Sequence, residues 1–241
     1  MKDASLCALL QLAFPAAQLP MQDPTLLPRK RPRQARATAT VETILEAAAR
    51  VLGDKSLLAF NTNRVAEAAG VSVGSVYQYF PNKAALAAAL IARAQTALAD
   101  AVEQAVQQHQ GRPLVSVLSS LVEIAIEHQF GNAVLAAALD HEEQRLPLGD
   151  VLGSAQSRMV AAVHTALDRH PDLGAAPVPL PVAVDCLTLA KALIEAEAAQ
   201  PQPDVVALRQ RLLHALQGYL HMSCAAGAAA GRAQPGPGRT Q

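Results

Sequence analysis

The chain contains no tryptophan and only three tyrosines and four phenylalanines, so aromatic residues make up 3% of its 241 positions. Large rings therefore cannot form the bulk of its core. Alanine and leucine are abundant instead, and they favour helices packed through small aliphatic ridges over a sheet of β-branched residues. An all-α fold is the expectation. Cysteine is equally sparse: Cys7, Cys186 and Cys224 lie in three separate regions, an odd count without metal spacing. This excludes a disulfide framework and fits a reducing, cytoplasmic setting. The histidines form no HExxH or paired Cys/His pattern, and there is no P-loop or GxGxxG. Metal and cofactor are expected to be absent, and an enzyme reading has no motif to rest on. The run His141-Glu142-Glu143 is the nearest approach to a site, and such a run is more often a wet helix surface.

An excess of charge is missing as well, since 20 Lys and Arg balance 20 Asp and Glu. The balance is uneven along the chain. Residues 29 to 83 carry nine basic against four acidic side chains, +5, which leaves −5 for the remainder. A basic segment on an acidic body directs a polyanion to one face. Five of those positive charges fall between Arg29 and Arg36. They read as an arm that tracks phosphate or the minor groove, the alternative being a solvated charge run.

The uncharged stretch Ala4 to Gln22 is interrupted by Pro15, Pro20 and three glutamines. It is too broken for a membrane span, and Lys2 followed by Asp3 is not the start of a signal peptide. No membrane association is expected. Met21 reads as the natural start with residues 1 to 20 as an upstream extension, and a disordered or weakly amphipathic tail explains them equally well. At the other end, residues 223 to 241 are rich in Ala, Gly and Pro and read as a flexible tail.

The most informative stretch is Ser72 to Lys83, S-V-G-S-V-Y-Q-Y-F-P-N-K. Before it, Asn63 to Ala69 reads as a short helix closed by Gly70, a residue able to take the left-handed conformation that ends a helix. Ser72 supplies the next N-cap, and Val71 and Val76 are spaced as a hydrophobic staple across it. Val76 and Phe80, four apart, can face a core, which leaves Ser75, Tyr77, Gln78 and Tyr79 to project elsewhere. Pro81 stops the helix, Asn82 caps the following one, and Lys83 places an ammonium in its first turn, against the helix dipole. Two helices joined by a tight glycine-containing turn form a helix-turn-helix, whose second member enters the major groove of DNA.

Residues 36 to 83 resemble the DNA-binding domain of the tetracycline-repressor (TetR) family of bacterial transcription regulators. The signature is V-Y-Q-Y-F-P-N-K preceded by N-R-V-A-E-A-A-G-V-S, with a first helix over Thr38 to Leu52. Ser56, Asn61, Ala84 and Ala85 depart from the family's usual residues, at helix caps rather than at DNA contacts. The resemblance implies that Thr62, Asn63 and Arg64 touch phosphate and bases, that Val73, Gly74 and Ser75 enter the groove, and that Tyr77, Tyr79 and Lys83 meet phosphate. Gln78 is available for an adenine edge. Core packing is the alternative for the two tyrosines.

Six further helices are expected at about 83 to 108, 113 to 129, 132 to 145, 149 to 170, 181 to 199 and 204 to 221, separated by Gly and Pro. The expected organisation is thus an extension and basic arm (1 to 35), the helix-turn-helix domain (36 to 83), a helical ligand-binding and dimerisation domain (84 to 222), and the tail. Val205, Leu208, Leu212, Leu216 and Tyr219 form one apolar stripe, and Ala183, Leu187, Ala190 and Ile194 another. By resemblance they face a partner in a homodimer; the alternative is burial in the protomer's own core. The resemblance also implies a small-molecule inducer, with His128, Asp140, His141 and Glu142 as candidate polar groups of its pocket. The leading reading is a repressor released by that inducer from a palindromic double-stranded operator. An activator or inducer-independent DNA-binding protein is the alternative, and an α-helical enzyme a more distant one.

Overall fold

A computed structural model describes Leu26 and residues 35–55, 60–168 and 170–232. Nine α-helices and one 3-10 turn account for the regular structure of the described residues, which contain no strand. They are α1 (Ala35–Lys55), α2 (Thr62–Ala69), α3 (Val73–Tyr79), α4 (Lys83–Gln108), α5 (Leu114–Phe130), α6 (Ala133–Glu143), α7 (Gly149–Leu167), α8 (Leu180–Ala198) and α9 (Val205–Arg232), with the 3-10 turn at Pro171–Leu173.

The expected helix map holds closely, because the breaks have local causes. One exception is α9, which continues past residue 222 to Arg232. The expected tail is therefore helical as far as Arg232, and residues 233–241 lie outside the described residues. Alanine is the best helix former, so an Ala-rich run can propagate a helix through isolated glycines that each disfavour it by ~1 kcal/mol. The extension over residues 1 to 20 and most of the basic arm also lie outside the described residues.

The chain forms two compact units. The first takes in the described residues up to Asp100 together with Glu127–Ser157; the second takes in Ala101–Ile126 and the described residues from Arg158 on. In the first, Ile44, Ala48 and Leu52 of α1, Val65 of α2, Val76 of α3 and Leu86 of α4 meet in one apolar cluster with Phe60 and Phe80. The two phenylalanines are almost fully enclosed, 2% and 1% exposed, so these two rings are placed at the centre of the first unit's helices. A neighbouring cluster gathers Ala88, Ile91, Leu148 and Leu152 around Leu26. Leu26 thus pins the chain to this unit three residues before the basic run begins.

In the second unit, Leu208, Leu212, Leu216 and Leu220 of α9 are buried together with Ala183 and Ile194 of α8. The deepest residues of the two stripes therefore close the protomer's own core, as the alternative reading had it, whereas Val205, Tyr219, Leu187 and Ala190 are half-buried. A 3.6-residue period marks a buried face without saying what buries it. Charged groups fasten the rim. Arg158 forms a bidentate pair with Glu103, at 2.9 and 2.6 Å. Arg209 pairs with Glu123, and buried Glu197 accepts from Arg211 and from the Asp204 amide. Burial pushes the Cys186 thiol up from 9.0 to about 12, with Asp185 adding to the shift.

Among the described residues one long helix, α4, is apolar enough to cross a membrane by length and composition. Its residues Ala85 to Ala88, Leu90 and Ile91 are buried within the first unit, which accounts for part of that apolarity as core packing.

Candidate nucleic-acid interface

Each helix of the helix-turn-helix is fixed by its own caps. The Asn61 side chain accepts from the Arg64 amide at 3.0 Å and so starts α2; the residue that departs from the family pattern caps the helix all the same. Gly70 ends α2 at φ 66°, with its amide reaching back to the last turn. Only glycine takes this left-handed conformation without a steric penalty. Ser72 then accepts from the Ser75 amide at 3.0 Å to start α3, and Asn82 accepts from the Ala85 amide at 2.7 Å to start α4. Three consecutive caps at residues 61, 72 and 82 leave little freedom in how α2, α3 and α4 follow one another.

The outward surface of this motif is polar. Asn63, Arg64, Val73, Gly74, Tyr77 and Gln78 are exposed, whereas Ser75 is half-buried with its hydroxyl 2.8 Å from that of Ser72. Two residues of the expected set are placed inward. Thr62 is buried and donates its hydroxyl to Tyr77 Oη at 3.2 Å, which orients the tyrosine. Tyr79 is half-buried and packs against the apolar cluster. Sequence spacing alone could not separate the two tyrosines; the structure exposes Tyr77 and turns Tyr79 toward the core. Lys83 Nζ lies 3.6 Å from Glu142 Oε1 and 5.5 Å from the centroid of the Phe60 ring.

The run Gly70-Val71-Ser72-Val73-Gly74 also spells G-x-S-x-G, the sequence of a hydrolase nucleophile elbow. The surroundings rule that role out of the geometry: an elbow joins a strand to a helix, whereas Ser72 joins two helices. Its Oγ is engaged as a helix cap.

A cavity of about 180 Å³ lies in the same unit. Ile91, Ala94, Leu135, Ala136 and Leu139 form its apolar wall, and Gln95, His128, Gln129, Asn132, Asp140 and Glu143 its polar one. Of the four pocket residues expected from sequence, His128 and Asp140 line it. His141 is exposed beside Arg145, and Glu142 is buried against Lys83, so both are corrected away from the cavity. Gln95, Gln129, Asn132 and Glu143 were missed. A partial signal existed in Asn132, whose position after Gly131 marks it as the α6 cap, and its side chain does accept from the Leu135 amide at 3.1 Å. Among the described residues no group of His, Cys, Asp and Glu is arranged to hold a metal ion.

Residues 44–90 match the family model of bacterial regulatory proteins, tetR family. No curated protein matches the sequence. Among solved structures, a TetR-family transcriptional regulator of Mesorhizobium loti is similar at 16% identity and a TM-score of 0.64, over 78% of this chain and 98% of that one. The fatty acid degradation regulator FadR of Bacillus halodurans is similar at 17% identity and a TM-score of 0.59, over 73% and 97% of the two chains. The multidrug binding protein EbrR, solved with imidazole, follows at 20% identity and 0.51, over 72% and 93%. At such identities the likeness establishes the fold, while the family match falls on the helix-turn-helix itself. Residues 44–90 thus match the DNA-binding domain of the tetR family of bacterial regulatory proteins, and the chain has the fold of solved TetR-family regulators.

Proposed function

We propose that this protein is a homodimeric repressor that holds a palindromic double-stranded operator and leaves it when a small molecule occupies the cavity of the first unit. The observation that carries the reading is the position of α6. One face of this helix lines the cavity through Leu139 and Asp140, and the adjacent Glu142 holds Lys83 at the start of α4, directly after the recognition helix. A ligand that displaces α6 therefore acts on a residue at the edge of the DNA-facing surface. It shifts the equilibrium only if it binds the DNA-incompetent arrangement more tightly.

In this reading Asn63, Arg64, Val73, Gly74, Ser75, Tyr77, Gln78 and Lys83 meet DNA, with Gln78 reading a base edge and Lys83 a phosphate. Thr62 acts through the Tyr77 hydroxyl, and Tyr79 supports the helix from below. The dimer forms through the outward faces of α8 and α9, where Ala192, Ala196, Gly218 and Met222 are exposed and small or apolar side chains permit close approach. Two recognition helices then present themselves ~34 Å apart, to half-sites on one side of the duplex. The protein works in the cytoplasm, where its operator is, and catalyses no reaction.

Footprinting on the DNA upstream of the protein's own gene tests this. An inverted repeat protected at physiological salt is the expected result. Retardation that is uniform across sequences would leave a non-specific DNA-binding protein in its place.

A further inference from the structure

We propose that the cavity of the first unit selects a small organic cation, an ammonium carried on a compact apolar body about the size of a benzene ring. The inference rests on the ligand-responsive reading above and adds the chemical class. Size sets the first limit. At about 180 Å³ the space is well below the ~300–1,000 Å³ of pockets that take drug-sized molecules. It is close to the ~150 Å³ that accommodates benzene in an apolar protein cavity.

Charge sets the second. Two carboxylates, Asp140 and Glu143, lie on the wall, and no lysine or arginine does. Asp140 is half-buried and receives one hydrogen bond, from Gln129 Nε2 at 2.8 Å. A neutral amide leaves the carboxylate's charge in place, and no described cation is paired with it. A ligand ammonium would supply the charge-assisted partner that Asp140 lacks, while the amides of Gln95 and Asn132 offer it further acceptors. An anionic ligand would instead face the Asp140 carboxylate, whose charge no described cation neutralises, in a partly dehydrated space. Leu135, Leu139 and Ile91 provide the surface for the apolar body.

Calorimetric titration of the full-length protein, without DNA, with benzylammonium, benzyl alcohol and benzoate separates these cases. The expected order is benzylammonium tighter than benzyl alcohol by at least about tenfold, with benzoate weakest. Asp140→Asn keeps an acceptor for Gln129 but removes the charge, and it should bring the first two probes to within about threefold of each other. Ala136→Phe, which fills the space, should abolish binding of all three and so locate it. Benzylammonium that fails to bind at millimolar concentration, binds no better than benzyl alcohol, or keeps its preference in Asp140→Asn would overturn the proposal. Operator affinity is measured separately: a cation that binds through Asp140 and leaves operator affinity unchanged keeps the ligand class and rejects the release mechanism.

Discussion

Lys83 and Glu142 form an ion pair, 3.6 Å between Nζ and Oε1, that joins the start of α4 to the last turn of α6. The carboxylate is enclosed and the ammonium is 42% exposed, so the lysine can still reach outward. Phe60 lies beneath the same ammonium, which makes this cation part of the packing as well as of the surface.

If Lys83 also meets phosphate, Glu142 competes for it. Glu142→Gln should tighten binding to all DNA by about two- to fivefold, because a pair whose ammonium is this exposed is worth ~1 kcal/mol or less. Lys83→Ala should weaken binding to all sequences and lower the slope of log K against log salt by about one. Filter binding at several salt concentrations measures both. Substitutions that move affinity in the same direction would show that the lysine serves only to hold α6.

The local order of the helix-turn-helix was legible in the sequence because its determinants are local. Gly70, Ser72 and Asn82 each fix a helix end through atoms within a few residues. Tyr77 and Tyr79, by contrast, are told apart by partners distant in the fold: the Thr62 hydroxyl meets Tyr77, while the apolar cluster meets Tyr79. Nothing within the motif encodes that. The cavity was legible in part, through His128 and Asp140. Glu142 was misplaced because its partner Lys83 is 59 positions away in sequence, and the role of Leu212 because periodicity reports burial but not by what.

The corrected place of Leu212 has its own consequence. Fully buried in the second unit, it should lose ~2–5 kcal/mol of stability on replacement by Ala, through lost burial and the cavity left behind. Met222→Arg, at a site 73% exposed in the protomer, should leave the folded helical content intact and split the proposed dimer. Light scattering alongside circular dichroism distinguishes these effects. A Met222→Arg protein that remains dimeric would remove that part of α9 from the interface.

Cys186 predicts a pH dependence with a definite sign. Its folded-state pKa is raised from 9.0 to about 12 by burial, so the folded form retains a proton that the unfolded form gives up. The associated stability is fully present below about pH 9 and is lost as pH rises through 12. Replacing Cys186 by Ala should therefore flatten the alkaline fall in stability, measured as denaturant midpoints between pH 8 and pH 11. The same burial should make Cys186 slower than Cys224 to alkylate at pH 8, since thiolate is the reactive form and Cys224 is less enclosed. Equal alkylation rates, read by mass spectrometry, would contradict the enclosed position of Cys186.

Gly74 gives the cleanest separation of fold from function. It lies at the second position of α3 and is exposed, and a methyl group added there would meet only Ser72 Oγ, at 3.7 Å, an ordinary contact. The protein itself does not require glycine. A helical Gly→Ala change should leave stability equal or raise it by up to ~1 kcal/mol. If the start of α3 seats against DNA, the same methyl occupies space that the duplex needs, and Gly74→Ala should lose at least about tenfold in operator affinity, equivalent to ~1.4 kcal/mol. Thermal melting of the free protein and a gel-shift titration with the protected operator give the two numbers. Higher melting with weaker binding assigns Gly74 to the interface. Unchanged operator affinity at unchanged or higher stability would mean that the start of α3 does not approach DNA closely, and recognition would then rest on Tyr77, Gln78 and the residues opening α2.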